Sequence, residues 1–148
     1  MVQRRHGRSG TVDRDQTGTT ARRLIVTADD YGAAECIDRG IDSAIETGLV
    51  RTVSALMNYP LAYEAVRTLR REQPHVDIGV HLNITGGPPL TPPSRLGTVC
   101  TDGGVFRGLG ELVHALPSID LVHVERELRA QIELLAGLNI PVDHLSSH

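Results

Sequence analysis

Short apolar runs alternate with longer amphipathic runs along the sequence, and this alternation restricts the chain to an α/β fold. The short runs are typical of strands, whereas the longer runs repeat apolar side chains at helical spacing. The predicted strands lie at residues 24–28, 52–57, 76–82 and 142–145, and the predicted helices at 33–47, 60–72 and 120–138. Strands that alternate with helices build parallel sheets, so we expect about four β/α units.

Two segments fall outside this alternation. Residues 1–22 contain almost no large apolar side chains and are rich in Gly, Thr, Ser and Arg, which predicts a disordered leader before one domain at residues 23–148. Residues 86–110 hold seven of the 15 glycines and four of the eight prolines. This composition predicts a long loop or lid, and we expect it to face the substrate.

Composition excludes several classes of function. A formal net charge of −3 does not suit a nucleic-acid-binding protein, which requires a clustered basic surface. No apolar run reaches the roughly 20 residues of a membrane helix. The two cysteines, Cys36 and Cys100, form neither a disulfide scaffold nor a CxxC pair. We therefore expect a cytoplasmic protein that binds neither nucleic acid nor membrane.

Polar side chains cluster where three of the predicted strands end. Asp29 and Asp30 follow the first strand, His81 lies at the end of the third, and His148 follows the last. The carboxyl ends of parallel strands meet at one edge of a sheet, where catalytic groups gather. One carboxylate and two imidazoles from separate strands can hold a divalent metal with positions open for water. The aspartate that does not bind the metal can then act as a base.

Each of these residues also has a purely structural interpretation. An Asp-Asp pair after a strand is often a turn or a helix N-cap. His81 taken alone fits a hydrogen-bonded core histidine, and His148 taken alone fits a frayed terminus. Their joint position at strand ends favours the metal site. Four further histidines are predicted to lie on solvated surfaces, namely His6, His75, His114 and His123.

Four motifs carry a resemblance to a known family. LIVTADDYG, IDSAIETGLVRTVSALMN, IGVHLNITGGPPL and DHLSSH follow the order and spacing of the YdjC-like carbohydrate deacetylases, and the similarity runs from about Arg23 to His148. The resemblance implies a TIM-like β/α barrel, of which this chain holds about the first four units and is truncated at the C-terminus. It also implies hydrolysis of a linear amide, the removal of N-acetyl groups from amino sugars or chitooligosaccharides by metal-activated water.

The family's metal ligands correspond, position by position, to Asp30, His81 and His148, and its catalytic base corresponds to Asp29. The resemblance implies one divalent ion, commonly magnesium. The ligand chemistry favours zinc, because imidazole suits zinc better than magnesium, which prefers oxygen ligands. Magnesium and zinc are therefore both candidates for the bound ion.

The sugar site implied by the resemblance includes Tyr31, Asn83 and Thr85, together with the segment at residues 86–110. One departure from the family concerns Ser146, which occupies a position where the family usually has aspartate. This difference removes a carboxylate that could orient a metal ligand or contact the substrate.

Two other interpretations remain open. The first is a truncated relative that keeps the motifs but at most binds metal or a partner. An incomplete barrel would expose apolar surface, which a homo-oligomer or a partner chain could cover. The second is a phosphoacceptor receiver domain, which also has an acidic pair after its first strand. A receiver requires a lysine near the phosphate, however, and all 15 basic residues here are arginine.

Overall fold

Four parallel strands form one sheet, and they follow each other across it in chain order. The structure is a computed structural model that describes residues 24–148, so the leader expected at residues 1–22 lies outside the described residues. The strands are β1 (Thr27–Tyr31), β2 (Thr52–Ala55), β3 (Asp77–Leu82) and β4 (Leu145–Ser147). The predicted α/β class and the parallel sheet are confirmed.

Helices connect these strands. They are α1 (Glu35–Glu46), α2 (Ala62–Glu72), α3 (Leu109–Ala115) and α4 (Leu121–Gly137). The helix α4 begins after Asp120, whose side chain accepts a hydrogen bond from the backbone N–H of Val122 and so satisfies a free donor of the first turn. Within residues 24–148, no helix is both long enough and apolar enough to cross a membrane.

One apolar cluster lies between the sheet and the helices. Val53 and Val80 contribute to it from β2 and β3, and Val66 and Leu135 contribute from α2 and α4. All four side chains are fully buried. Side chains alternate between the two faces of a strand, so the strand residues directly next to Val53 and Val80 point to the other face of the sheet.

The face of the sheet that lies away from the helices is polar, and it holds one imidazole very closely. A Cβ atom added to Gly79 of β3 would fall 2.5 Å from both the ring and the carbonyl oxygen of His144. The His144 Nε2 atom lies 3.0 Å from Ser54 Oγ on β2. Any larger residue at position 79 would clash with His144, so this close contact between His144 and β3 requires glycine.

The first and last strands begin later than the sequence predicts. The run at residues 24–28 predicts the first strand, but Leu24 and Ile25 are 86% and 74% exposed, and β1 continues through the two aspartates to Tyr31. The strand is shifted because its pairing with β2 extends to Tyr31, which no local pattern reveals. The last strand is likewise displaced from residues 142–145 to Leu145–Ser147.

The segment at residues 86–110 is a packed structure rather than an open lid. It contains a 3₁₀ turn at Pro93–Arg95, an antiparallel bridge between Cys100 and Phe106, and the first residues of α3. A second apolar cluster holds it in place and consists of Leu96, Val99, Cys100, Phe106 and Leu112. The many glycines and prolines conceal these apolar positions, so α3 is not predicted from the sequence.

Candidate metal centre

A bulge in β1 brings two adjacent aspartates to the carboxyl edge of the sheet. The register between β1 and β2 shifts between Ala28 and Tyr31, and Asp30 adopts a φ of 66°. Aspartate tolerates this left-handed conformation better than most residues do. Bulges redirect side chains. Asp29 and Asp30 therefore both reach the site, although a regular strand would direct neighbouring residues to opposite faces.

Asp30, His81 and His148 converge on one point. Asp30 Oδ1 lies 3.4 Å from His81 Nε2 and 3.8 Å from His148 Nε2. The two imidazole rings meet edge to face, with their centroids 5.6 Å apart. His81 extends from β3, and His148 follows β4, where its backbone N–H donates to the carbonyl of Leu82. The structure thus brings together the three predicted metal ligands.

The Asp30 carboxylate has an unsatisfied oxygen at this point. Oδ1 is buried, yet it accepts no hydrogen bond from any residue that the structure describes. Such an atom destabilises the fold unless a proton or a cation satisfies it. Burial lowers the pKa of His81 from its usual value, while the carboxylates of Asp29 and Asp30 oppose this change. The lowered pKa works against a positive charge on His81, so a cation between the three groups fits the site.

The spacing of the three groups is close to that of a metal site. Two donors that share a metal at roughly 2.1 Å lie about 3.0–3.5 Å apart. The distance from Asp30 to His81 falls within this range, and the distance to His148 lies slightly above it. As the side chains stand, no three His, Cys, Asp or Glu side chains within residues 24–148 lie close enough together to hold a metal ion. The His148 side chain is 39% exposed, which leaves it room to close that gap.

Asp29 lies beside the three predicted ligands rather than among them. Its Oδ1 is 3.7 Å from His81 Nδ1, and its side chain is 50% exposed. The same Nδ1 is 2.7 Å from Ser146 Oγ. Ser146 therefore occupies the outer side of His81, where a hydrogen-bond partner commonly orients a metal-binding imidazole. The exposure of Asp29 leaves its carboxylate accessible to an incoming substrate.

A buried amide anchors the chain just beyond His81. Asn83 is 1% exposed, and its side-chain oxygen accepts hydrogen bonds from the backbone N–H groups of Thr85 and Gly86. Its side-chain nitrogen donates to Asn58 Oδ1 and to the Gly86 carbonyl. Every polar atom of this side chain is bonded within the protein, so Asn83 offers no free group to a sugar.

Side chains of α4 hold the backbone of Asn83 and of the loop that follows it. Gln131 accepts a hydrogen bond from the backbone N–H of Asn83 and donates one to its carbonyl, as a neighbouring strand would. The fully buried Glu127 accepts from the backbone N–H groups of Leu90 and Thr91 and from Gln131. The two side chains of α4 thus fix the backbone on either side of the loop that begins at Asn83.

Glu127 and Gln131 do not lie at a predicted strand end. Their positions in the sequence nevertheless contain a signal that both are buried. Both residues lie, four positions apart, on the line of α4 that also carries the buried Leu135. A carboxylate and an amide on the apolar side of a helix must be hydrogen-bonded. Their partners, however, depend on the tertiary fold and could not be named in advance.

Tyr31 and Thr85 differ in their relation to the three converging side chains. Tyr31 is 3% exposed and donates its hydroxyl hydrogen to Asp42 on α1. Burial, followed by the Asp42 carboxylate, raises its pKa well above the usual range. Its hydroxyl is therefore turned toward α1 and is not offered to a sugar. Thr85 Oγ1, by contrast, lies 3.0 Å from His148 Nδ1. Of the three residues predicted to contact the sugar, Thr85 alone has its polar side-chain atom beside a predicted ligand.

Comparisons with known proteins agree on one family. The sequence model of the family described as YdjC-like protein matches residues 23–148. Carbohydrate deacetylase 1 of Listeria innocua is 36% identical over 127 residues, covering 85% of this chain and 51% of that protein. A carbohydrate deacetylase of Thermoanaerobacter pseudethanolicus is 30% identical over 126 residues, covering 84% of this chain and 49% of that protein.

A solved structure is similar as well. It is the 1.70 Å crystal structure of an Enterococcus faecalis V583 protein named as a candidate for cellobiose-phosphate cleavage. The TM-score is 0.77 at 29% sequence identity, and the match covers 84% of this chain and 47% of that chain. The chain thus spans about half the length of the relatives it matches.

Proposed function

Because the chain belongs to the YdjC-like protein family, we propose that it carries the metal centre of a carbohydrate deacetylase, which removes N-acetyl groups from amino sugars or chitooligosaccharides. The main support is the buried Oδ1 of Asp30, which has no hydrogen-bond partner among residues 24–148 and faces the Nε2 atoms of His81 and His148. The names of the curated relatives support carbohydrate deacetylation as the reaction class.

Asp30, His81 and His148 would hold one divalent ion. When bound there, the ion would lower the pKa of a bound water toward neutrality and polarise the amide carbonyl. Two imidazoles and one carboxylate favour zinc by ligand chemistry, whereas the family resemblance favours magnesium. Element analysis of protein purified without a chelator distinguishes the two ions.

Asp29 is the proposed general base. Its half-exposed carboxylate lies beside the proposed ligands, with Oδ1 3.7 Å from His81 Nδ1. It can therefore take a proton from the water that attacks the acetamide and return a proton to the amine that leaves. Thr85, which borders His148, and the packed segment at residues 86–110 are the proposed contacts for the sugar.

The four β/α units would form the first part of a TIM-like barrel. Among the described strands, β4 pairs with β3 alone, so its other edge is available for a further strand. A groove of about 520 Å³ lies along α4, with Leu82 of β3 and the α4 residues Leu121, Val124, Leu128 and Ile132 among its lining residues. A further β/α unit, a second copy of the chain or a partner chain would cover it.

Both cysteines are free, which fits the proposed cytoplasmic location.

Acetate release from N-acetylated chitooligosaccharides tests the proposed reaction. We expect release to require zinc or magnesium, and we expect Asp29→Asn to lower its rate at least about 100-fold without loss of metal binding. Asp30→Asn should abolish both metal binding and release. Metal binding without acetate release from the wild-type chain would favour the inactive relative instead, and failure to bind either metal would refute the proposed centre.

A further inference from the structure

We infer that Asn83 and Thr85 are positioning residues, which set the tautomer of His148 so that its Nε2 atom carries a free lone pair toward Asp30. This inference rests on the proposed metal centre, because a histidine can bind a metal only through an unprotonated ring nitrogen. It assigns to Asn83 a role inside the protein rather than at the sugar. It also gives Thr85 a role that does not require a substrate.

The orientation of the Asn83 amide is fixed by the backbone. The atom assigned as Oδ1 lies 2.8 Å from the Thr85 backbone nitrogen and 3.1 Å from that of Gly86. Both backbone groups can only donate a hydrogen bond, so the atom they share must be the amide oxygen and not the nitrogen. Asn83 therefore presents an acceptor, and only an acceptor, on this side.

The Thr85 hydroxyl transmits this constraint to His148. Thr85 Oγ1 lies 3.2 Å from Asn83 Oδ1 and 3.0 Å from His148 Nδ1. Two oxygens at this distance repel each other unless a proton lies between them, so the hydroxyl hydrogen points to Asn83. A hydroxyl has one hydrogen, and toward His148 it can therefore only accept. Nδ1 of His148 must then carry the ring hydrogen, which leaves Nε2 unprotonated in the neutral ring.

The start of this chain of hydrogen bonds is rigid. Asn83 is 1% exposed, and Gln131 of α4 bonds both its backbone N–H and its carbonyl. The Asn83 side-chain nitrogen is held in addition by Asn58. The path thus leads from a buried helix side chain, through Asn83 and Thr85, to the exposed ring of His148. Such outer partners of a metal-binding imidazole typically change metal affinity about 10–100-fold when they are removed.

The ¹⁵N NMR spectrum of the His148 ring in the metal-free chain tests the tautomer directly, at a pH where the ring is neutral. We expect Nδ1 to give the signal of a protonated nitrogen and Nε2 that of an unprotonated one. Thr85→Val removes the hydroxyl at nearly constant volume and should yield a mixture of tautomers. Thr85→Ser keeps the hydroxyl and should restore the wild-type pattern.

Zinc affinity measured by calorimetry provides a second readout. We expect Thr85→Val to weaken zinc binding about ten-fold and Thr85→Ser to restore most of that loss. Thr47→Val is the control, because Thr47 is exposed at the end of α1, where its hydroxyl donates to the carbonyl of Ala44. This control should bind zinc as the wild type does.

The two proposals fail in different ways. A wild-type chain that binds no metal refutes the proposed centre, while the NMR experiment still decides the tautomer. A ring hydrogen on Nε2 of His148 in the wild type overturns the inference. So does a Thr85→Val variant that keeps both the wild-type tautomer and the wild-type zinc affinity.

Discussion

Ser146 and Asp29 both approach the outer nitrogen of His81, but only one of them is within hydrogen-bond distance. Ser146 Oγ lies 2.7 Å from His81 Nδ1, whereas Asp29 Oδ1 lies 3.7 Å from it. An uncharged hydroxyl thus holds the ring, and the nearby carboxylate stays available for proton transfer. This arrangement fits the proposed role of Asp29 as a base, since Ser146 rather than Asp29 holds His81.

Replacing Ser146 should change metal affinity through His81. Ser146→Ala removes the contact to Nδ1, and we expect zinc binding to weaken about ten-fold because the ring is no longer oriented. Ser146→Asp supplies a charged acceptor and should bind zinc more tightly than the wild type. Ser147 faces the opposite side of β4, so Ser147→Ala is the control. Isothermal titration calorimetry measures all three, and equal affinity of Ser146→Ala and the wild type would contradict the expectation.

The predicted ligands and the predicted sugar contacts were not equally accessible from the sequence. Asp30, His81 and His148 can be selected because parallel strands end at one edge of a sheet, whatever else the fold does. Tyr31 and Asn83 are neighbours of the ligands in sequence, but the sheet and the loop turn their side chains inward. Which way a residue next to a ligand points depends on bulges and loops, and these are not visible in a local pattern.

At the scale of elements, the contact between β3 and β4 depends on Gly79, because a larger residue there would not fit. His144, which directly precedes β4, lies so close to Gly79 that an added Cβ would meet both its ring and its carbonyl oxygen at 2.5 Å, and this oxygen accepts a hydrogen bond from the backbone N–H of Val80. A flexible side chain could move away from such a contact, but the carbonyl oxygen of a paired strand cannot do so without shifting the strand. The position of β4 also sets the position of His148, so this packing affects the proposed metal centre.

Gly79→Ala should destabilise the fold. We expect a loss of roughly 2 kcal/mol or more in the free energy of unfolding, because an overpacked interior forces backbone shifts. Gly40→Ala is the control, since a Cβ there meets nothing within 4 Å and alanine is the better helix former in α1. That variant should be stabilised by about 0.5–1 kcal/mol. Urea denaturation measures both changes, and a Gly79→Ala variant as stable as the wild type would show that β4 moves freely.

Most elements could be predicted, and the exceptions share a cause. The helices α1, α2 and α4 carry apolar side chains at helical spacing and lie close to the predicted bounds. The bulge in β1 and the helix α3 are set by contacts with β2 and with a second apolar cluster, both distant in sequence. Local periodicity cannot report such contacts, and the bulge is the feature that brings Asp29 to the site.

For the whole molecule, the proposed metal centre joins three elements that are far apart in the chain. Asp30 belongs to β1, His81 to β3, and His148 follows β4 at the edge of the sheet. None of these groups is held near the others in the unfolded chain, so a metal that binds all three binds the folded state alone. Metal binding at the proposed centre would therefore be coupled to the stability of the sheet.

Zinc should raise the melting temperature of the chain. At a free concentration about 100 times the dissociation constant, binding stabilises the folded state by about 2.7 kcal/mol. For a domain of this size, that corresponds to an increase of roughly 10 °C. Asp30→Asn should show almost no increase. Differential scanning calorimetry with and without zinc measures the shift, and an equal shift in the variant would place zinc elsewhere.

The left-handed backbone at Asp30 has a consequence for how such a chain changes over evolutionary time. Asparagine and glycine are the residues that best tolerate this conformation, and each is one base change away from aspartate. The substitutions that would remove the proposed metal ligand are therefore among those that the fold accepts most easily. Selection for folding alone would not preserve Asp30, and a copy released from selection on catalysis could lose its chemistry while it keeps its shape. Retention of Asp30 would therefore depend on selection for the proposed site and not on selection for the fold.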